Sequence, residues 1–337
     1  MTVDLRTRYL GLELPHPVMP GASPMVDDLD TVRRLEDAGA AAIVMHSLFE
    51  EQLTADQMAA HELYDAPGEG HAEALGYFPA TADFALGPDA YLEQIRKIRE
   101  AVDVPVIGSL NGVSMGGWTH HAQLIEDAGA SALELNMYTL PSDPAIDARA
   151  MEAQQLEIVR AVHAEVRIPI AVKLSPFYSA LPAFVRALEA EGVSGVVLFN
   201  RLYEPDIDPE SLELDRTLHL SDPSELLVRL RWLAILSSRT ELSLAASGGV
   251  HDAMGALRAI MAGASAVQMV SALLRHGPRQ LANVVTELRT WLEEHEYESL
   301  RQATGSMNDA RAPDPSAYER ANYIHLLQSW HGARPRR

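Results

Sequence analysis

The stretch EDAGASALELN, residues 126–136, combines a helix end, a glycine and a short apolar strand that stops at a polar residue. The same order recurs as EDAGAAAIVMHS at 36–47, EGVSGVVLFN at 191–200 and MAGASAVQMVS at 261–271. Glycine just after a helix takes the left-handed conformation without a Cβ penalty, so the chain can turn directly into a strand. A repeated helix–glycine–strand unit predicts a parallel α/β protein.

Four further apolar segments, at residues 17–20, 104–108, 168–173 and 242–247, raise the number of expected strands to eight. Each is almost continuously apolar, as expected for parallel strands covered by helices. Amphipathic helices are expected between them at 28–38, 88–101, 118–128, 148–166, 181–190, 223–237 and 253–262. Eight alternating units predict a (βα)8 TIM barrel. An open doubly wound sheet is the alternative, but its glycine-rich first turn is missing after the first strand.

No linker rich in proline or glycine divides the 337 residues, so we expect one domain. Residues 1–16 should form a hairpin that closes the barrel floor, and residues 17–275 the barrel itself. Residues 276–331 should form C-terminal helices packed outside the barrel.

Composition narrows the range of partners. The formal charge of −20, from 47 acidic and 27 basic residues, repels phosphate backbones and anionic lipids. We therefore expect that the protein binds neither nucleic acid nor a membrane surface. No apolar stretch approaches the roughly 20 residues of a membrane span, and a cytoplasmic location is expected. The absence of cysteine excludes disulfides, thiolate metal sites, iron–sulfur ligation and a cysteine base within this chain.

Active sites of (βα)8 barrels form at the carboxyl ends of the strands, so polar residues at those ends are the candidate site. These residues are Ala22, Ser23, His46, Ser47, Ser109, Asn111, Asn136, Lys173, Asn200, Ser247 and Ser271. Their convergence predicts a small-molecule site. Three asparagines at strand ends indicate amide recognition of a heterocycle, although each one alone is also compatible with a turn.

The segment Ser247-Gly248-Gly249-Val250 follows the seventh strand, and Val270 and Ser271 follow the eighth. Barrels of this kind bind phosphate there through backbone N–H groups, and two glycines allow the close approach that a phosphate needs. The alternative is a tight strand-to-helix turn. Lys173 ends an apolar strand, and a buried ammonium needs an anionic partner. It fits either a Schiff-base lysine or a cation beside a reduced flavin.

These residues carry a resemblance to the dihydroorotate dehydrogenases, especially the soluble class 1 enzymes, over nearly the whole chain. The segment ELN at 134–136 resembles the start of that family's Glu-Leu-Asn-x-Ser-Cys-Pro-Asn loop, and AVKLSP at 171–176 resembles its Val-Lys-Leu-x-Pro strand. The segments SGGV at 247–250, GASAVQ at 263–268 and SAL at 271–273 are similar to its C-terminal Gly-Gly-Val, Gly-Ala-x-x-Val-Gln and Gly-Thr-Ala-Leu pattern.

The resemblance implies flavin mononucleotide (FMN) as cofactor and pyrimidine biosynthesis as setting. It implies proton removal from one substrate carbon while hydride passes from the neighbouring carbon to the flavin. The implied phosphate contacts are Ser247, Gly248, Gly249, Val270 and Ser271. The implied contacts of the flavin ring are Ala22, Ser23, His46, Ser47, Asn111, Asn136 and Lys173. His46, Asn136 and Asn200 would contact the substrate.

The departures from the family lie on the substrate side. Where the family carries a Cys or Ser base, an ungapped match places Thr139, with Tyr138 as the neighbouring candidate. Leu140-Pro141 stands where the family has Pro-Asn, and His46 stands where it has a lysine. A second substrate asparagine is missing from the loop at residues 73–79. The cofactor half of the family pattern is therefore retained and the orotate half is not.

Two other functions stay open. One is a flavin-free lyase or aldolase for sugar phosphates that uses Lys173 as a Schiff base, and the other is a non-catalytic flavin-binding protein. The resemblance also allows a homodimer. Because the chain holds no cysteine for a cluster, electrons would leave to a soluble acceptor or to an electron-transfer partner protein.

Overall fold

The structure is a computed structural model that describes residues 2–49, 88–112, 114–137, 139–140, 142–201, 205–215, 217–319, 323 and 328. Its strands, in chain order, are β1 Thr7–Tyr9, β2 Leu12–Leu14, β3 Val18–Pro20, β4 Ile43–Val44, β5 Leu48–Phe49, β6 Val106–Asn111, β7 Ala132–Asn136, β8 Ile170–Leu174, β9 Gly195–Leu198, β10 Asp206–Asp208, β11 Glu213–Asp215, β12 Ser243–Ser247 and β13 Ala266–Met269.

The helices within the same ranges are α1 Leu29–Asp37, α2 Pro88–Ala101, α3 Met115–Asp127, α4 Ala148–Glu165, α5 Leu181–Ala190, α6 Leu226–Leu236, α7 Ala253–Ala262, α8 Ser271–His276, α9 Arg279–Glu294 and α10 Leu300–Ala303. Short 3-10 turns occupy Pro24–Val26, Pro223–Glu225 and Pro315–Tyr318. None of these helices is both long and apolar enough to cross a bilayer.

Eight parallel strands form the barrel, in the order β3-β13-β12-β9-β8-β7-β6-β4, and β5 extends the pairing along β6. A backbone hydrogen bond of 3.1 Å from the Ala41 N–H to the Val18 carbonyl joins the two ends of this order. The predicted (βα)8 barrel is confirmed, and the doubly wound sheet is excluded.

The helix–glycine–strand repeat forms as its chemistry predicts. Gly129, just past α3, has a φ of 97°, and the Ala130 N–H donates to the Ile125 carbonyl at 3.3 Å. At the other end, Ser114 caps α3 by accepting a hydrogen bond from the Gly117 N–H at 3.0 Å. One orphan donor in the first turn of the helix and one carbonyl in its last turn are therefore satisfied locally.

The barrel has two apolar layers. The strand faces that point outward pack under the helices. The inward faces carry small residues such as Ala132, Ala171 and Ala245. These belong to one buried apolar cluster with Tyr9 and Leu14 of the floor hairpin β1–β2. Because successive residues on a strand alternate between faces, the polar residues on the inward face collect at the carboxyl end.

Two features lie outside the barrel. The hairpin β10–β11, which follows β9, is exposed along all of its residues and was not anticipated from the sequence. At the C-terminal end, α9 packs on α7, and Leu300 donates a backbone hydrogen bond of 2.8 Å to Asp4. Most of residues 320–331, where C-terminal helix was expected, lie outside the described ranges.

Candidate functional site

A buried ion pair lies inside the upper barrel. Lys173 on β8 points its Nζ at Glu134 Oε1 on β7, 3.1 Å away, and their side chains are 8% and 1% exposed. The other carboxylate oxygen of Glu134 accepts a hydrogen bond of 2.6 Å from Gln268 on β13. The anionic partner expected for Lys173 is thus present within the chain itself.

Neither Glu134 nor Gln268 was singled out from the sequence as a site residue. The signal was available for Glu134, because it precedes Asn136 by two residues on one strand and so faces the same side. The Gln268 Oε1 atom and the Tyr9 hydroxyl are both buried without a hydrogen-bond partner among the described residues. Burial raises the pKa of Tyr9, and the charge of Glu134 adds to that shift.

A chain of polar side chains crosses the mouth of the barrel. The Ser47 hydroxyl lies 2.8 Å from the Ser109 hydroxyl and accepts a hydrogen bond of 3.2 Å from the Asn136 amide nitrogen. The Asn136 amide oxygen in turn accepts a hydrogen bond from the Asn200 amide. Four of the predicted residues are therefore joined in one hydrogen-bonded chain: Ser109, Ser47, Asn136 and Asn200.

Tyr91 on α2 anchors the β6 end of this chain. Its hydroxyl donates to the Ser109 carbonyl at 2.9 Å and accepts from the Ser109 N–H at 3.1 Å. Burial raises the pKa of Tyr91, which keeps the hydroxyl protonated and able to donate. Two further predicted residues, Asn111 and Ser23, are buried where β6 ends and just after β3, with exposures of 6% and 5%. Ala22 beside Ser23 is half-buried.

His46 lies beside Asp27 in the loop after β3. Its Nδ1 is 2.7 Å from Asp27 Oδ1, although the angles do not fit a hydrogen bond, and its ring meets the Tyr91 ring edge-on at 5.1 Å. The imidazole of His46 thus lies between the Asp27 carboxylate and the Tyr91 ring.

The glycine pair after β12 forms a turn that only glycine accommodates easily. Gly248 and Gly249 have φ angles of 89° and 77°. Ser221, which the sequence did not single out, lies against this turn and accepts a hydrogen bond of 3.4 Å from the Gly249 N–H. The Ser221 N–H and hydroxyl both donate to the Ser271 hydroxyl, at 3.0 Å and 2.8 Å. The predicted Gly249 and Ser271 are thus joined through Ser221.

His251 borders the same cluster, with its Nε2 3.4 Å from the Ser221 hydroxyl. Burial lowers the pKa of His251, and the Arg275 charge lowers it further. The cluster therefore combines N–H and O–H donors with basic side chains at the carboxyl ends of β12 and β13, which suits a phosphate. Within the described ranges, no group of three or more His, Asp or Glu residues is arranged to hold a metal ion.

The sequence profile of the dihydroorotate dehydrogenase family matches residues 84–292, more than half of the chain. The chain belongs to this family. A protein of Thermoplasma volcanium named dihydroorotate dehydrogenase B (NAD(+)), catalytic subunit, is 27% identical over 316 residues, 90% of this chain and 98% of that protein. A protein of Methanocaldococcus jannaschii with the same name is 25% identical over 317 residues, again covering 90% and 98%.

In this member of the dihydroorotate dehydrogenase family, one of the two predicted candidates for a catalytic base, Thr139, lies within the described residues. Thr139 is exposed after β7 and hydrogen-bonds to no other described residue. A hydroxyl acts as a base only when a neighbouring group takes its proton. Tyr138, Pro141 and the loop at 73–79 lie outside the described residues.

Proposed function

We propose that this chain is an FMN-dependent oxidoreductase of the dihydroorotate dehydrogenase type. It would oxidise a CH–CH bond of dihydroorotate or of a related small substrate by proton abstraction and hydride transfer. The observation that carries the proposal is the division of polar side chains at the barrel mouth. A donor-rich cluster lies at the ends of β12 and β13, and a lysine–amide group lies at the ends of β7 and β8.

The cluster at β12 and β13 fits the phosphate of FMN. Phosphate oxygens accept hydrogen bonds. The Gly249 N–H and the Ser221 N–H and O–H donate within the cluster, and the Ser271 hydroxyl, which accepts two of these bonds, donates to no other described residue. A side chain at Gly249 has no room, because a Cβ there would lie 2.4 Å from the Leu226 nitrogen. Glycine at this position therefore lets the turn pack directly against the backbone at the start of α6.

The lysine–amide group fits the ring system. Lys173 offers a cation in a buried setting, and Asn136 and Asn200 offer amides at the mouth. Gln268 Oε1, buried and unpaired among the described residues, leaves an acceptor unsatisfied in the same interior. FMN, when bound, would supply a hydride acceptor. Lys173 would favour negative charge on the reduced cofactor, and Glu134 would limit that effect by offsetting the lysine charge.

We propose that the residues that contact the substrate differ from those of the family. Hydrogen bonds to charged groups contribute roughly 1.5–3 kcal/mol each, so the loss of two orotate-recognising amides would weaken binding by about two orders of magnitude. We therefore propose that dihydroorotate is at best a poor substrate. Thr139 or Tyr138 is the proposed base, and His46 and Asn200 are proposed to contact the substrate.

An electron-transfer partner protein is also proposed. The relatives in Thermoplasma volcanium and Methanocaldococcus jannaschii are named catalytic subunits, which supports a second subunit for this chain. The lyase alternative is less well supported, since a Schiff-base lysine must attack as a neutral amine. The Nζ of Lys173 instead lies 3.1 Å from the Glu134 carboxylate in a buried ion pair.

The test is the visible spectrum of freshly purified protein, followed by heat denaturation and analysis of the supernatant. We expect a yellow protein that releases FMN and whose flavin is reduced by dithionite. A colourless protein that takes up no added flavin would overturn the proposal. An imine with a carbonyl substrate, trapped by borohydride on Lys173, would favour the lyase. Flavin that no carbon substrate reduces would favour the non-catalytic binding protein.

A further inference from the structure

A second buried cation lies apart from the lysine at the barrel centre. Arg229, on α6, has a side chain that is only 5% exposed. Arginine is rarely buried to this extent without partners that fix its guanidinium. The sequence did not single out this residue, and the chemistry proposed above does not use it.

Two backbone carbonyls hold the Arg229 guanidinium in place. Its Nε donates to the Ser247 carbonyl at the end of β12, and its Nη1 donates to the Glu225 carbonyl at 2.6 Å. The third nitrogen, Nη2, lies directly behind the glycine turn, because a Cβ on Gly248 would be only 2.6 Å from it. Arg229 therefore forms the back wall of the turn.

The charge of Arg229 is only partly offset. Its nearest carboxylate is Glu225, whose Oε2 is 3.8 Å from Nη2, and the Oε1 of the same carboxylate is 3.5 Å from Arg201 Nη2. Two guanidinium groups thus share one carboxylate. Burial lowers the pKa of Arg229 from its ordinary value; Glu225 opposes that shift and Arg201 adds to it. An arginine nevertheless stays protonated in proteins.

The other carboxylates near the turn are engaged elsewhere. Asp222 accepts a hydrogen bond of 2.7 Å from the Ser224 N–H, and Asp252 accepts one of 2.7 Å from the Gly255 N–H at the start of α7. Both act as helix caps, and Glu225 is the described carboxylate whose charge shifts the pKa of Arg229. A positive charge therefore remains behind a turn whose Gly249 N–H is hydrogen-bonded to Ser221 and, through it, to Ser271. The Ser271 hydroxyl accepts both of its hydrogen bonds and donates to no other described residue.

We propose that Arg229 is a positioning residue for a phosphate monoester bound at the Gly248–Gly249 turn. It holds the turn through the Ser247 carbonyl and adds a fixed positive charge behind it. The inference rests on the proposed flavin site, where the monoester is that of FMN. It predicts that Arg229 supports recognition of the phosphate and contributes nothing to recognition of the ring.

FMN and riboflavin separate these two contributions, because they differ only in the phosphate. Flavin-free protein would be titrated with each by fluorescence quenching, as wild type, Arg229→Gln and Arg231→Gln. Arg231 is an exposed residue on the same helix and serves as the matched control. We expect Arg229→Gln to weaken FMN binding roughly 10- to 100-fold and to leave riboflavin affinity unchanged. Arg231→Gln should change neither affinity.

An equal loss of FMN and riboflavin affinity in Arg229→Gln, or no loss at all, would overturn the inference and leave the proposed function intact. If Arg229→Gln does not fold, Arg229→Lys replaces it: the charge stays but the forked contacts are lost, and FMN affinity should still fall relative to riboflavin. If Arg229→Lys changes the FMN and riboflavin affinities by the same factor, the inference is overturned.

Inorganic phosphate distinguishes this inference from the flavin assignment. If wild type binds neither flavin, the proposed function fails, and thermal stabilisation by inorganic phosphate becomes the readout. Stabilisation of wild type and of Arg231→Gln, but not of Arg229→Gln, would support the phosphate role alone. No stabilisation of wild type would overturn both proposals.

Discussion

At the scale of single residues, the chemistry of the barrel interior depends on how Lys173 and Glu134 share charge. A buried ammonium without a partner would be strongly destabilising, and Glu134 supplies the partner at 3.1 Å. The same carboxylate limits the field that the lysine can exert on a ligand. The two residues should therefore have opposite effects on any bound redox group.

The reduction potential of the proposed flavin, measured on the flavin-loaded protein, tests these opposite effects. Lys173→Met removes a positive charge and should lower the potential, while Glu134→Gln removes a negative charge and should raise it. We expect shifts of tens of millivolts, since about 30 mV corresponds to ~1.4 kcal/mol for a two-electron couple. Equilibration with reference dyes measures both variants. Shifts in the same direction would show that the pair acts through structure and not through charge.

Thr139 tests the proposed departure on the substrate side. Anaerobic mixing with dihydroorotate should bleach the flavin slowly or not at all, because a missing positioned base costs ~10²–10⁴-fold in rate. Thr139→Ala and Tyr138→Phe show which hydroxyl, if either, contributes. Fast bleaching at micromolar dihydroorotate that is abolished in Thr139→Ala would show an ordinary dihydroorotate site.

At the scale of elements, the glycine turn after β12 is limited by contact as well as by backbone conformation. Gly249 and Gly11 have similar φ angles of 77° and 79°. A Cβ on Gly249 would lie 2.4 Å from the Leu226 nitrogen, whereas a Cβ on Gly11 would meet nothing within 4 Å. The pair therefore separates left-handed strain from steric overlap.

Urea unfolding of Gly249→Ala and Gly11→Ala measures the difference. Gly11→Ala should cost about 1–2 kcal/mol from left-handed strain alone. Gly249→Ala should cost about 1–3 kcal/mol more, since backbone cannot move aside as a flexible side chain does. Its FMN affinity should also fall. Equal losses in the two variants would mean that the turn relaxes around an added methyl group.

At the scale of the whole molecule, His16 links β3 to the segment that precedes β4, where the barrel closes. Its Nδ1 accepts a hydrogen bond of 3.2 Å from the Val18 N–H, and its Nε2 lies 2.6 Å from the Gly39 carbonyl. Because Nδ1 must accept, the ring is neutral and Nε2 carries the hydrogen. Burial lowers the pKa of His16, and the bond to Gly39 opposes that shift only in part.

The stability of the whole barrel should therefore fall on acidification. Between the lowered pKa of His16 and its ordinary value of 6.5, the unfolded chain binds more protons than the folded one. The free energy of unfolding then decreases as the pH falls below 6.5, with a slope of up to about 1.4 kcal/mol per pH unit from this group.

Urea unfolding of wild type and His16→Gln between pH 7.5 and pH 5 isolates this contribution, since carboxylates titrate alike in both. The stability advantage of wild type should narrow as the pH falls. His276→Gln, at an exposed histidine, should keep the wild-type pH dependence. If the difference in free energy of unfolding between wild type and His16→Gln stays constant over this pH range, the His16 ring is not a neutral, buried imidazole.

The barrel could be predicted from the sequence because the repeated helix–glycine–strand unit is local: Gly129 follows a helix, and the apolar residues of the next strand begin within a few positions. The sequence also predicted which end of the strands carries polar residues, and the glycine pair at β12. The tertiary structure decided which of those residues meet. Glu134 contacts Lys173 and Gln268 across 39 and 134 positions of sequence. Arg229 contacts the glycine turn from α6, and Ser221 contacts it from the segment that precedes α6. Such contacts depend on strand register and on helix placement around a closed barrel, and no local pattern of residues encodes either one.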